Sequence, residues 1–174
     1  MIISVEELKK CIDVKDVSDV QLQMKLDAIE NGIRKHTNNN FQERRIRFVA
    51  PTDTSAVLCT NPLLRVGDTV QISESINDGL YLITAIDDGV ITLDKPLYPV
   101  KDNLVTKIQY GADIRQGVIN LMQWEIDMRD KVGIASETLS RHSVTYFSQD
   151  ASNTLMGYPV ALLGFLEPYY KARF

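Results

Sequence analysis

The periodicity of apolar residues changes twice along these 174 residues, from a helical period to alternation and back. A segment patterned at 3.6 residues cannot sit as a half-buried strand, and one patterned at 2 cannot sit as an amphipathic helix. The two switches therefore divide the chain. Residues 1–43 and 111–174 are expected to form one helical domain. Residues 44–110 are expected to be a β module inserted into it. The predicted fold class is α+β: a small, mainly helical domain of three to four helices with an inserted small antiparallel β-barrel.

The first helical part carries its own start signals. Ser4 with Glu7 and Ser18 with Gln21 are capping boxes, in which the side chains at the N-cap and N3 positions satisfy each other's backbone N–H groups. The first predicts a helix from about Val5 to Ile12. The second opens a longer helix, with Val17 and Leu22 as its hydrophobic staple. In that helix Leu22, Leu26, Ile29 and Ile33 fall on one stripe. Thr37-Asn38-Asn39-Asn40 ends it, because Asn tolerates the left-handed region.

The middle segment reads as strands around Arg45–Val49, Val70–Ser73, Leu80–Ile86, Val90–Leu93 and Leu104–Tyr110. Val66-Gly67-Asp68, Asn77-Asp78-Gly79 and Asp87-Asp88-Gly89 separate them. Asp-Gly pairs favour tight hairpins because glycine accepts positive φ. Short strands at this spacing imply a closed or curled antiparallel sheet.

A third helix is predicted from Asp113, as N-cap, to Val132, with Gly133 beyond it. Its apolar arc, from Ile114 through Trp124 and Met128, spans about 220°, wider than one packing partner needs. Glu125 and Arg129 fall inside this arc, four residues apart in the orientation helices favour. They are expected to pair, either at a gap in the core or at a subunit interface. Trp124, Glu125, Met128 and Arg129 are accordingly the candidate interface residues. Ser136, Glu137, Arg141 and His142 lie in a polar stretch that reads as an extended loop or ribbon. A flexible-looking polar segment, Ser148–Gly157, leads to Pro159 and a short helix over Val160–Leu166. Leu162, Phe165, Leu166, Tyr169, Tyr170 and Phe174 crowd this end. So many apolar groups in one short segment imply a surface to dock on, in the same chain or in a partner.

Composition narrows the function classes. With 44% hydrophobic and 24% charged residues the chain is neither disordered nor of low complexity. A net charge of −4 counts against a free-standing duplex-DNA binder. Cys11 and Cys59 form no CxxC pattern and read as reduced small apolar side chains. His36 and His142 have no metal-ligand spacing around them. Ser140-Arg141-His142-Ser143 is no catalytic constellation, since neighbours on an extended chain point to opposite faces. No phosphate-binding glycine loop occurs. The chain is expected to be no enzyme and to use no metal or cofactor. The N-terminus does not read as a signal peptide, and no apolar run is long enough to span a bilayer.

Several stretches together resemble a family. They are Ile3-Ser4-Val5-Glu6-Glu7-Leu8-Lys9-Lys10, Val17-Ser18-Asp19, Asn31-Gly32-Ile33 and Thr37-Asn38-Asn39-Asn40-Phe41. The third helix, the run Gly133–Tyr146, and Tyr158–Leu166 with Tyr169 follow in the same order. In order and spacing these resemble the head–tail connector (adaptor) proteins of tailed bacteriophages. Residues 44–110 depart from the shorter members of that family, and resemble the β insertions of other phage virion proteins. The family also commonly has Gly where Leu139-Ser140 stand.

The resemblance implies a homo-oligomeric ring, a dodecamer in the virion, docked under the portal protein at the head–tail neck and assembled in the host bacterial cytoplasm. The ring extends the DNA channel without binding DNA specifically, and offers its lower face to a stopper or head-completion protein. The C-terminal residues Leu162, Phe165, Leu166, Tyr169, Tyr170 and Phe174 are the expected contact with the portal. No membrane is involved. A different class of function, a soluble module whose β-barrel recognises a ligand or nucleic acid, fits the same composition. The barrel carries few aromatic and basic residues, which weighs against nucleic acid.

Overall fold

The computed structural model describes residues 1–128, the backbone of 136–139 and 142–145, and residues 153–172. The chain divides into two compact units. One comprises residues 40–110 with Met1, and the other residues 2–39 with 111–174.

In the helical unit, α1 (Val5–Cys11) and α2 (Asp19–Thr37) both open on complete capping boxes, Ser4 with Glu7 and Ser18 with Gln21. Leu22, Leu26, Ile29 and Ile33 of α2 are all buried. Asn38 ends α2 in the left-handed conformation, at φ 51°. The third helix, α3 (Ala112–Met128), buries Ile114, Val118, Leu121 and Met122. It begins one residue before the expected cap. Asp113 lies in its first turn and accepts a hydrogen bond from the Ile114 N–H at 2.9 Å. The expected end of the helix near Val132 lies outside the described residues.

In the other unit the strands are β1 (Gln42–Thr52), β2 (Ala56–Leu58), β3 (Thr69–Ser73), β4 (Gly79–Asp87), β5 (Val90–Leu93) and β6 (Val100–Ile108). All pairings are antiparallel, in the order β1-β2-β5-β4-β3-β6, and β6 also pairs with β1, so the sheet closes on itself. Eleven buried residues fill it: Ala50, Val57, Leu64, Val70, Ile72, Tyr81, Ile83, Ile91, Leu93, Leu97 and Val105. Alternation places them there; in β5, Ile91 and Leu93 point inward while Val90 is exposed. Asp88 and Gly89, at φ 32° and 81°, make the two-residue turn between β4 and β5.

The expectation of a mainly helical domain of three to four helices carrying a small inserted β-barrel is therefore corrected. The chain is α+β with a β-rich core: three α-helices lie among the described residues, and a six-stranded antiparallel sheet has an interior of its own. The short helix expected over Val160–Leu166 is not α-helical, for a local reason. Residues 160–169 form two 3-10 segments, Val160–Leu162 and Gly164–Tyr169, with Pro168 inside the second. Proline there supplies no N–H for an α-helical bond. Before them, β9 (Thr154–Leu155) and β10 (Tyr158–Pro159) pair around Met156-Gly157, both at positive φ. Their predecessors β7 (Ser136–Leu139) and β8 (His142–Thr145) form another antiparallel pair, matching Ser136 with Thr145 and Leu139 with His142.

Candidate interaction surfaces

The C-terminal segment folds back on its own helices. Leu166 is completely buried and Leu163 nearly so. Phe165 lies against α3 where Gly117 provides the room: a Cβ there would stand 2.5 Å from three ring carbons. The Tyr169 hydroxyl donates to the Asp113 carboxylate, with its oxygen 2.7 and 2.8 Å from the two carboxylate oxygens. That bond, followed by burial and by the negative charge of Asp113, raises the pKa of Tyr169 above its ordinary value. The Tyr169 carbonyl accepts from the Asn39 side chain at 3.1 Å. Tyr170 meets His36 edge to face, with its hydroxyl hydrogen-bonded to His36 Nε2. The Lys171 N–H donates to the Thr37 carbonyl at 2.9 Å, and the Asn38 side chain donates to the Ala172 carbonyl at 3.2 Å. The Lys171 bond answers one of the unpaired carbonyls that an α-helix leaves at its C-terminal end.

The residues of the expected portal-contact set are placed unequally. Leu166 is closed inside the chain's own unit, and Phe165 and Tyr169 are engaged on α3. Leu162 is half-buried. Among the described members only Tyr170 stands exposed, at 48%. Phe174 lies outside the described residues.

The candidate interface residues of α3 separate in the same way. Glu125 is buried and receives Lys25 of α2 at 2.6 Å. Arg129, its expected partner one turn on, lies outside the described residues. Trp124 is half-buried and meets Tyr158 edge to face, with ring centroids 5.5 Å apart. Met128 is 41% exposed. Ser136, Glu137 and His142 are described by backbone only, in β7 and β8, and Arg141 lies outside the described residues.

Two exposed apolar residues of α2 were not among the expected interface residues. Val20 and Met24, one turn apart on α2, are 71% and 66% exposed. Lys15, just before α2, binds Asp127 at 2.5 Å and the Ile126 carbonyl at 3.3 Å. It thereby holds the start of α2 against the end of α3, where Met128 lies. Three large apolar side chains are thus left in water at one end of the helical unit. Their signal was present, since Val20 and Met24 lie off the buried stripe of α2.

The β unit holds a polar cluster that was also missed. Asn77, Asn103 and Thr52 are buried. Asn77 Nδ2 donates to the Tyr98 carbonyl at 2.8 Å and to Thr52 Oγ1 and Asn103 Oδ1 at 3.2 Å, while its Oδ1 accepts from the Tyr98 N–H at 2.8 Å. Ser75 Oγ donates to Asn103 Oδ1 at 2.5 Å. The sequence presents Asn77-Asp78-Gly79 as an exposed turn; instead Gly79 begins β4 and Asn77 is turned inward. The network stitches loop 74–78 to loop 94–99. Each loop carries a large exposed apolar residue, Ile76 at 71% and Tyr98 at 65%. Burial raises the pKa of Tyr81 above its ordinary value, with smaller contributions from Asp94 and Asp78; burial also raises that of Cys59. Among the described residues no group of three metal-ligating side chains occurs, and no helix is long and apolar enough to cross a membrane. No protein-family model matches the chain, and no curated protein matches it.

Proposed function

We propose that this chain is a structural adaptor that assembles side to side into a homo-oligomeric ring at the head–tail neck of a tailed phage, between the portal and a stopper or head-completion protein. The observation that carries this reading is the apolar end of the helical unit, where Val20, Met24 and Met128 stand in water on α2 and α3. Large exposed apolar side chains gathered in one place mark a protein contact. In a closed ring that contact meets a different face of the next subunit. The family resemblance supplies the portal as partner and passive passage of DNA.

The test is Met24→Asp in the full chain. Native mass spectrometry and electron microscopy, with and without portal protein, should show rings for the unchanged chain and monomers for the variant. Thermal unfolding should move by no more than a few degrees. Rings of the variant at unchanged abundance, or no ring from the unchanged chain even with portal, would refute the reading.

A second reading is favoured by Ile76 and Tyr98. It makes the β unit a binding module that presents these two side chains on stitched loops to a protein ligand. It predicts that Tyr98→Asp leaves rings intact and removes capture of the stopper.

A further inference from the structure

The chain leaves the helical unit after Asn39 and re-enters it at Gly111. One residue of the C-terminal segment is bonded at both places. The Tyr169 carbonyl accepts from the Asn39 side-chain N–H at 3.1 Å, and the Tyr169 hydroxyl donates to the Asp113 carboxylate. The same hydroxyl lies so near Gly111 that a Cβ there would be 2.7 Å away. On either side, Lys171 is bonded to the last turn of α2, and Leu166 is buried. The polar bonds lie where the segment reaches the surface, whereas Leu163 and Leu166 anchor it beneath.

We infer that residues 163–172 form a releasable strap, with Tyr169 as a two-point clamp on the crossings by which the chain leaves and re-enters the helical unit. Two features make it releasable. It is 3-10 rather than α-helical, with the poorer hydrogen-bond geometry of that form. Its polar grip comes from the side chains of Asn38, Asn39 and Asp113 and one backbone bond, from the Lys171 N–H to the Thr37 carbonyl, rather than from a strand ladder. A partner that captures the strap therefore loosens both crossings at once. The strap couples an event at this end of the chain to the freedom of residues 38–42 and 109–114. The inference does not depend on the ring.

Hydrogen–deuterium exchange on the full chain tests it. Tyr169→Phe removes only the hydroxyl, and Tyr169→Ala removes the side chain while leaving the backbone carbonyl. Tyr170→Phe is the control, since it loses a bond of the same strap away from Gly111. A bond to a carboxylate at the rim corresponds to about tenfold in local opening. Amides of residues 38–42 and 110–114 should exchange about tenfold faster in Tyr169→Phe, and faster still in Tyr169→Ala. Those of α1 and mid-α2 should be unchanged, and Tyr170→Phe should match the unchanged chain at 110–114. Faster exchange at one crossing only, at neither, or uniformly across α2 and α3 would overturn the clamp. The uniform case would mean that Tyr169 supports the whole unit rather than its two crossings.

Discussion

Two glycines inside helices separate packing from propensity. Gly32 lies in α2 and Gly117 in α3, and both face a side chain from the C-terminal part of the chain. Replacing an interior helical glycine by alanine favours the helix by about 1 kcal/mol, the same at both sites. What the new methyl meets differs. At Gly117 it meets the face of Phe165, with three ring carbons at 2.5 Å, where carbon pairs prefer about 3.5–4.0 Å. The ring must retreat by about 1 Å, and it is flanked by buried Leu166 and Leu163. Such overpacking costs about 1–3 kcal/mol. At Gly32 the methyl meets only the terminal methyl of Met156, the far end of a flexible side chain, which rotates away cheaply.

Gly32→Ala should therefore stabilise by about 0.5–1 kcal/mol, and Gly117→Ala should destabilise by up to about 2 kcal/mol. Urea unfolding read by the fluorescence of Trp124, the one tryptophan of the chain, reports on α3 directly. The midpoints should move in opposite directions with an unchanged slope. If Gly117→Ala proves as stable as Gly32→Ala, Phe165 does not pack on α3 as described, and the docking of the whole C-terminal segment falls with it.

Two further outcomes follow from the polar contacts. Asn103→Leu leaves Asn77 and Ser75 without their shared acceptor in a buried place, and should destabilise the β unit by about 2–3 kcal/mol, measured as an earlier thermal loss of the near-ultraviolet signal; an unchanged transition would show that the network contributes nothing. The hydrogen bond to Asp113 needs the neutral form of Tyr169, and its folded pKa is raised above the ordinary 10.0. Its contribution is therefore complete below pH 10.0 and is lost as pH rises through the folded value. Stability of the helical unit should fall more steeply above that pH in the unchanged chain than in Tyr169→Phe, and parallel curves would exclude the bond.

Local signals were legible where they are local in cause. Both capping boxes, the stripe of α2, the left-handed Asn38 and the Asp88-Gly89 turn each depend on residues a few positions apart. What failed had a distant cause. β2 has three residues, too few for alternation to show, and exists because β1 and β5 flank it. Asn77 looks like an exposed turn residue until Thr52, Tyr98 and Asn103 supply it with buried partners from other strands and loops. Ser148–Gly157 reads as a polar segment, yet Gly32 of α2 offers Met156 a place, and just beyond it Trp124 of α3 offers one to Tyr158. A sequence records that a residue is apolar, not which surface will receive it.

The C-terminal segment shows why that distinction matters for function. Its apolar residues correctly announced that it must dock, because an element this short cannot hold its shape alone in water. Whether the surface is in the same chain or in a partner depends on complementarity at single positions. Gly117 makes a slot for a ring, Asp113 accepts a phenol, and the open end of α2 needs donors for its last carbonyls. Each of those features sits on a helix whose own periodicity is satisfied without it. None therefore stands out until the segment is laid against them. Val20, Met24 and Met128 of α2 and α3 stay exposed with the segment seated. A subunit contact built on them leaves the strap on its own helices. A contact built on the strap must first lift it. Assembly through α2 and α3 thus leaves exchange at residues 38–42 and 110–114 unchanged, while assembly through the C-terminal segment raises it.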